Sequence, residues 1–214
     1  MIDEQQVAYA TIKKLVENTI KTDKKHTVIV QGGLGTGKSV IAINLLSYLI
    51  QSGYNVEYVT KNAAPRSVFV AELIKKEFKK RYVENLFKGS CSFVDTKTNL
   101  FDCLLADEAH RLNEKSGLFQ NKGENQIKEI INASKISVFF IDEDQVVTTK
   151  DIGSVNEIKK WAKESNSEVH VGDDLILASQ FRCGGSDGYL AFLDNLLEIR
   201  ETANFNINDI DYDV

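Results

Sequence analysis

The sequence predicts an α/β fold of three layers, α/β/α, in which helices cover both faces of a mainly parallel sheet. Short apolar or β-branched runs alternate along the chain with longer segments of helical periodicity, an order typical of parallel sheets. The length of 214 residues and the apolar fraction of 43% suffice for one buried core. These observations favour a globular domain over a fibrous or disordered chain.

The first predicted helix is amphipathic, because apolar side chains recur at the spacing of one helix face: Ala8, Ile12, Leu15, Val16 and Ile20. The β-branched run 27–30 predicts the first strand, and the apolar segment 40–50 predicts a buried helix that Gly53 ends. Further strands are predicted near 56–60, 92–94, 103–106, 136–141 and 175–177, and further helices near 67–82, 125–134, 155–163 and 186–197.

The composition predicts a cytoplasmic protein that does not cross a membrane. No run approaches the roughly 18 apolar residues of a spanning helix, and the first residues lack a signal-peptide pattern. Cys91, Cys103 and Cys183 are odd in number and far apart, which favours a reducing compartment over a disulfide framework. The three histidines are too scattered to form a zinc site: His26, His110 and His170.

The net charge of −5 arises in the C-terminal tail. The last 21 residues hold six acids and one base, whereas the first 193 residues hold 25 acidic and 25 basic residues. A nucleic-acid partner usually leaves a basic footprint. The neutral body of the chain therefore neither predicts nor excludes such a partner.

Residues 32–39 match the pattern G-x-x-x-x-G-K-[ST] between a predicted strand and a predicted helix, which is the context that a P-loop requires. Glycines let successive backbone N–H groups point at phosphate oxygens, and the helix N-terminus adds positive potential. Lys38 would contact the β- and γ-phosphates, and the Ser39 hydroxyl would ligate Mg²⁺. The predicted nucleotide-binding residues are Gly32, Gly33, Gly35, Thr36, Gly37, Lys38, Ser39 and Val40.

Two adjacent carboxylates follow the predicted strand 103–106. Asp107 would lie at the carboxyl edge of the sheet, where it can hold Mg²⁺, and Glu108 would polarise the attacking water. A kinase needs only the metal-binding acid, whereas a hydrolase also needs the base. The pair therefore favours nucleotide hydrolysis.

The tetrapeptide Asp-Glu-Ala-His at 107–110 resembles the D-E-A-H box, a sequence motif of helicases and related nucleic-acid-dependent ATPases. Other segments follow in the order of superfamily 1 helicases, and the run as a whole resembles the Schlafen group 3-like DNA/RNA helicase domain of bacterial proteins. The resemblance covers nearly the entire chain. It implies a RecA-like P-loop NTPase domain with ATP and Mg²⁺ as cofactors and single-stranded DNA or RNA as partner.

The resemblance also implies roles for residues outside the P-loop. Either Gln5 or Gln6 takes the place of the glutamine that recognises adenine, and the sequence does not choose between them. Lys61 and Asn62 follow the second predicted strand, in the position of the motif that grips single-stranded nucleic acid.

Two further resemblances concern the γ-phosphate. The segment 141–145 resembles a G-D-x-x-Q motif with Ile141 in the place of glycine, which makes Gln145 the sensor of the γ-phosphate and the attacking water. The segment 177–182 resembles L-x-x-x-[YF]-R, whose arginine, here Arg182, touches the γ-phosphate. The catalytic set is then Lys38, Glu108, Gln145 and Arg182.

The predicted organisation is a single RecA-like domain over 1–200, followed at 201–214 by an acidic tail or the start of a linker to a missing second domain. Because superfamily 1 helicases hydrolyse ATP between two such domains, the resemblance implies that this chain binds Mg²⁺–ATP, hydrolyses it weakly and does not unwind duplexes. The alternative function is a regulatory ATP-binding switch that controls a partner or an attached effector domain.

Overall fold

The computed structural model describes residues 3–19, 22, 24–63, 67, 70–71, 80–117, 121–145 and 148–179. The helices α1 to α5 span Asp3–Thr19, Lys38–Gln51, Lys80–Leu86, Gln126–Ala133 and Val155–Glu164. The strands β1 to β7 span Lys25–Gly32, Val56–Val59, Phe87–Lys88, Phe101–Ala106, Ser134–Ile141, Ser167–His170 and Ile176–Leu177. Short 3₁₀ helices span Ser90–Phe93, Ala109–Arg111, Glu143–Gln145 and Asp173–Leu175.

Local signals set the helix boundaries, and of these only Gly53 is predicted from the sequence. The Asn125 side chain accepts hydrogen bonds from the first turn of α4, and the Ser154 side chain does the same for α5. Gly53 ends α2 in the left-handed conformation, with φ of 81°, which glycine adopts without steric strain.

One seven-stranded sheet forms the centre of the fold, in the order β3-β2-β4-β5-β1-β6, and β7 also pairs with β1. Every strand pairing among the described residues is parallel. Helices α1 and α2 pack on one face through a core that includes Ile12, Leu45 and Val28, whereas α4 and α5 pack on the other face. The fold is thus a three-layer, RecA-like α/β/α P-loop domain, as the sequence predicts.

The strand order places the predicted site residues together. Strand β5 lies between β1 and β4, so that the carboxyl ends of these three strands are neighbours. The P-loop follows β1, Asp107 follows β4 and Asp142 follows β5. Parallel sheets bind ligands outside the carboxyl ends of their strands, so this edge is where a ligand is expected to bind.

Several predicted elements differ from the structure. The prediction of a strand near 92–94 is wrong, because this segment forms the 3₁₀ helix Ser90–Phe93. Strands β3 and β6 were not predicted, because they lack the apolar runs that indicate a buried strand. The expectation that the histidines are too scattered is wrong for His26 and His170, whose ring nitrogens lie 2.8 Å apart. The predicted helix 186–197 and most of 67–82 lie outside the described residues, as does the tail 201–214.

None of the helices among the described residues is long and apolar enough to span a membrane.

Candidate nucleotide-binding and hydrolysis site

The P-loop curls over the N-terminus of α2. Gly35 and Gly37 have φ of 79° and 91°, in the left-handed region that favours glycine. Gly37 immediately precedes α2, and its carbonyl accepts a hydrogen bond from the Ile41 amide at 3.1 Å. The first-turn amides of a helix have no intrahelical acceptor, so those of α2 could bind an anion.

Gln5 supports this loop from the first turn of α1. Its side chain is buried, and its Nε2 donates to the Thr36 carbonyl at 3.0 Å. A side chain at Gly37 would displace the Gln5 amide from the loop, and the φ of 91° favours glycine there in any case. Gln6 is exposed on the same helix turn. Contact of either glutamine with adenine stays a prediction.

Lys38 lies across the mouth of the loop. Its ammonium donates to the carbonyls of Gly32 and Gly33 at 2.7 Å each and lies 3.7 Å from Asp142 Oδ2. Burial raises the pKa of Asp142, and the nearby Lys38 opposes that rise. The ammonium is thus held at the loop by acceptors that an incoming phosphate could replace.

Ser39 and Asp107 form the pair that the sequence predicts for magnesium. The Ser39 hydroxyl donates to Asp107 Oδ2 at 2.6 Å, and the Tyr58 hydroxyl donates to the same oxygen. Burial and the adjacent Asp107 carboxylate raise the pKa of Tyr58, so its hydroxyl remains a donor at neutral pH. Tyr58 was not predicted, and it orients the carboxylate from β2.

The backbone of Glu108 adopts the left-handed conformation, with φ of 53°. Such a conformation is strained for a residue with a side chain and recurs at functional sites. Asn62 Nδ2 donates a hydrogen bond to Glu108 Oε2. The predicted water-activating base therefore contacts a residue predicted to bind nucleic acid.

Gln145 and His110 meet at Asp142. Gln145 Nε2 donates to Asp142 Oδ2 at 2.7 Å, and His110 Nδ1 accepts the Asp142 amide at 3.3 Å. Burial, with Lys38 and Arg111 nearby, lowers the pKa of His110 to about 4, which keeps the ring neutral and able to accept this bond. The predicted sensor Gln145 is thus linked through Asp142 to the Lys38 ammonium.

Lys61 is engaged within the protein. Its ammonium donates to Asn113 Oδ1 at 3.0 Å and to Asp151 Oδ1 at 2.8 Å, and Arg111 Nε lies 3.1 Å from Asp151 Oδ2. The Asp151 side chain is fully buried. Burial alone would raise the pKa of Asp151, but hydrogen bonds from Lys61 and Thr148 outweigh this effect and lower it. This cluster ties the segment after β2 to the segment after β4.

Replacing Asp151 with asparagine should destabilise the domain, because two cations would lose their shared counter-charge. A fully buried pair loses about 3–5 kcal/mol when one partner is removed, and we expect about 1–3 kcal/mol here, since Lys61 and Arg111 retain partial solvent exposure. Urea unfolding measures the loss. The exposed Asp173, changed to asparagine, is the matched control, and equal stability of both variants would contradict the assignment.

Most of the predicted P-loop residues line one cavity of about 260 Å³ at the carboxyl edge of the sheet, whereas Gly32, Gly33 and Thr36 do not line it. Its walls include P-loop residues, the two carboxylates and the sensor: Leu34, Gly35, Gly37, Lys38, Ser39, Val40, Asp107, Glu108, His110 and Gln145. Arg182 lies outside the described residues. The chain leading toward it is anchored, because Glu4 accepts hydrogen bonds from the amides of Ala178 and Ser179 at 3.1 and 3.0 Å.

Comparison with solved structures gives distant similarities. The Pif1 helicase from Candida albicans is 17% identical with a TM-score of 0.47, and the match covers 95% of this chain and 45% of that chain. A DNA replication initiation factor is 17% identical with a TM-score of 0.43, and the match covers 98% of this chain and 56% of that one. AMPPCP-bound DnaA from Aquifex aeolicus is 13% identical with a TM-score of 0.43, covering 98% and 56%. The chain thus spans about half the length of these proteins.

No curated protein matches the chain. Residues 25–214 match the family described as the Schlafen group 3, DNA/RNA helicase domain. This range begins with β1 and includes the P-loop and the tetrapeptide at 107–110. Since the match spans most of the sequence, the chain belongs to the Schlafen group 3, DNA/RNA helicase domain family.

Proposed function

We propose that this chain is the ATP-binding and ATP-hydrolysing motor domain of a superfamily 1-like DNA/RNA helicase or translocase. The observation that most supports the proposal is the hydrogen-bonded pair Ser39 and Asp107, which shares one cavity with Lys38 and Glu108. This cavity combines a phosphate cradle, a metal-binding carboxylate and a candidate base. Hydrolysis needs the phosphate cradle, the metal-binding carboxylate and the base, whereas binding of the nucleotide alone needs only the cradle and the carboxylate.

The residues present fit a magnesium nucleotide. The Ser39 hydroxyl and the Asp107 carboxylate lie side by side at 2.6 Å, and hard oxygen donors of this kind suit Mg²⁺. When bound, the ion would neutralise charge on the phosphates. Tyr58 would hold the Asp107 carboxylate in place, and the first-turn amides of α2 would bind the phosphate oxygens.

Lys38 and Glu108 would perform the charge-dependent steps. Lys38 would exchange its bonds to the Gly32 and Gly33 carbonyls for phosphate oxygens, which are stronger acceptors because they are charged. Glu108 would orient the attacking water and accept its proton. Gln145 and Arg182 would contact the γ-phosphate, as the resemblance implies.

The contact between Asn62 and Glu108 supports coupling between strand binding and hydrolysis. While Asn62 donates to the Glu108 carboxylate, that oxygen has less capacity to accept a proton from water. A strand that binds Asn62 would withdraw this donor and release the base. Nucleic acid would then stimulate hydrolysis through one hydrogen bond.

Replacing Asn62 with alanine should raise strand-independent ATP hydrolysis and reduce its stimulation by single-stranded DNA or RNA. A hydrogen bond to a charged group contributes about 1.5–3 kcal/mol, so a rise of about 10- to 150-fold is expected if the base is fully released. Single-turnover hydrolysis measures the effect, with the exposed Asn85 changed to alanine as control. An unchanged stimulation ratio in the Asn62 variant would contradict the coupling.

Turnover by the 214-residue chain alone should be slow. The superfamily 1 resemblance implies a further arginine on a second RecA-like domain, and such an arginine contributes about 10³–10⁵ in rate. Measurement with protein in excess over ATP makes a slow rate quantifiable. Strong duplex unwinding by this chain alone would contradict the expectation of slow turnover.

Strand binding distinguishes the motor from the alternative, a regulatory ATP-binding switch. A motor domain should bind a fluorescein-labelled single-stranded oligonucleotide with an affinity that changes when Mg²⁺–ATP is added, because coupling between two ligands is reciprocal. The affinity should also fall with salt, by about 0.7 in logarithmic slope for each phosphate contacted. Absence of strand binding with and without nucleotide would favour the switch.

A further inference from the structure

A second cluster of ligand-type side chains lies at the edge of the sheet, away from the nucleotide site. Strands β1 and β6 are parallel neighbours, with His26 opposite Glu168 and Val28 opposite His170. Because side chains alternate along a strand, Glu168 and His170 lie on the same face of β6, and the register brings His26 to that face. Three side chains with metal-binding atoms are thereby placed together.

The three side chains are close enough to share one ion. His26 Nδ1 and His170 Nε2 are 2.8 Å apart, and the Glu168 carboxylate oxygens lie 4.0 Å from His26 Nδ1 and 3.9 Å from His170 Nε2. One ligand atom from each residue falls within 4.8 Å of the other two. The His26 side chain is 9% exposed, whereas the Glu168 side chain is 57% exposed. Packing therefore holds His26 in place, and Glu168 is free to change its side-chain conformation.

We propose that His26, Glu168 and His170 bind a divalent first-row transition-metal ion, for which Zn²⁺ is the natural probe. Two imidazoles and one carboxylate are a donor set that Zn²⁺ accepts, with water in the fourth position. The set is nitrogen-rich, unlike the oxygen donors of Ser39 and Asp107, which suit Mg²⁺. The two sites would therefore select different ions.

Small side-chain movements would complete the coordination. In a tetrahedral site with metal–nitrogen distances of about 2.0–2.1 Å, two ring nitrogens lie roughly 3.3 Å apart. The imidazoles would need to separate by only about 0.5 Å from their present 2.8 Å. The exposed Glu168 carboxylate can approach by rotation about its side-chain bonds, without movement of the paired backbone.

The site would connect the edge strand β6 to β1 at the end opposite the P-loop. His26 precedes Gly32 by six residues along β1, which corresponds to about 20 Å in a strand. The ion would therefore not contact the nucleotide. Its expected effect is to stabilise the pairing of β6, whose outer edge has no strand neighbour among the described residues.

Calorimetric titration of the metal-free chain with Zn²⁺ tests the proposal. The unchanged protein should bind one ion at this cluster, and its melting temperature should rise with Zn²⁺ concentration, because the ion binds the folded state. Loss of an outer-shell partner already weakens a metal site by 10- to 100-fold, so His170→Ala should weaken binding at least about 100-fold. Glu168→Gln should weaken it at least about tenfold, whereas the exposed Glu164, changed to glutamine, is the matched control.

Cobalt distinguishes this cluster from the cysteines and from the magnesium site. Co²⁺ bound to two imidazoles and a carboxylate should give visible absorption bands without thiolate charge transfer, and Asp107→Asn should leave these bands unchanged. Absence of Zn²⁺ binding, a thiolate band, or equal affinity in the Glu168→Gln and Glu164→Gln variants would overturn the proposal. Circular dichroism of the metal-free variants separates loss of binding from loss of fold.

Discussion

Replacing Glu108 with glutamine is expected to abolish ATP hydrolysis while ATP remains bound. Glutamine preserves the size of the side chain but removes the carboxylate that would accept a proton from water, and general-base catalysis contributes about 10²–10⁴ in rate. Asn62, which now donates to Glu108 Oε2, can donate to the glutamine oxygen instead, so the local structure should survive. Lys38, Ser39 and Asp107 are unchanged and should still hold the nucleotide.

Two measurements on the Glu108 variant separate these effects. Release of phosphate under single-turnover conditions reports hydrolysis, and fluorescence of a labelled ATP analogue reports binding. Glu114, an exposed carboxylate in the segment after the 3₁₀ helix Ala109–Arg111, provides the control when it is changed to glutamine. Hydrolysis at the wild-type rate in the Glu108 variant would show that another group activates the water.

Replacing Lys38 with alanine should weaken ATP binding and turnover together. The ammonium donates to the loop carbonyls of Gly32 and Gly33 at 2.7 Å each, where it can contact the phosphates. Hydrogen bonds to charged groups contribute about 1.5–3 kcal/mol, which corresponds to a loss of about 10- to 150-fold in ATP affinity. The catalytic loss should be larger, because charge on the phosphates develops in the transition state.

The Lys38 variant needs a check of its fold, since the ammonium also lies 3.7 Å from the buried Asp142. Thermal unfolding provides this check, and Lys115, exposed and distant in sequence, is the control when changed to alanine. A folded Lys38 variant that binds ATP with wild-type affinity would contradict the placement of the phosphates at the P-loop.

The position of the candidate nucleotide site in the fold could be predicted because its signals are local. The glycines of residues 32–39 and the strand that precedes Asp107 are encoded in short segments, and both lie where the patterns indicate. The position of β5 between β1 and β4 could not be predicted, because strand order depends on packing between distant segments. It is this order that brings Asp142 to Lys38.

The missed elements share a physical cause. Strand β6, Ser-Glu-Val-His, is polar at three of its four positions and lies at the sheet edge, so it shows no buried apolar run. The segment near 92–94 contains the adjacent apolar residues Phe93 and Val94, which are typical of a strand. In the structure, Phe93 is buried as part of the 3₁₀ helix Ser90–Phe93. Short runs of this kind do not distinguish a strand from a turn.

Partners that are distant in sequence also escaped prediction. Asn62 and Glu108 are 46 residues apart, Lys61 and Asp151 are 90 apart, and His26 and His170 are 144 apart. A motif identifies one member of such a pair and says nothing about the other. For Lys61 and Asn62, the structure adds partners that the motif did not indicate, and their contact with nucleic acid stays a prediction.

The most direct test of the central claim is the rate of ATP hydrolysis by this chain with and without single-stranded DNA or RNA, at saturating Mg²⁺–ATP. The claim is that one site, formed by the P-loop, Asp107 and Glu108, hydrolyses ATP under the control of a bound strand. It predicts a measurable basal rate that rises when the strand is added and that disappears in the Glu108→Gln variant. A rate that no strand changes, or that persists without Glu108, would contradict it.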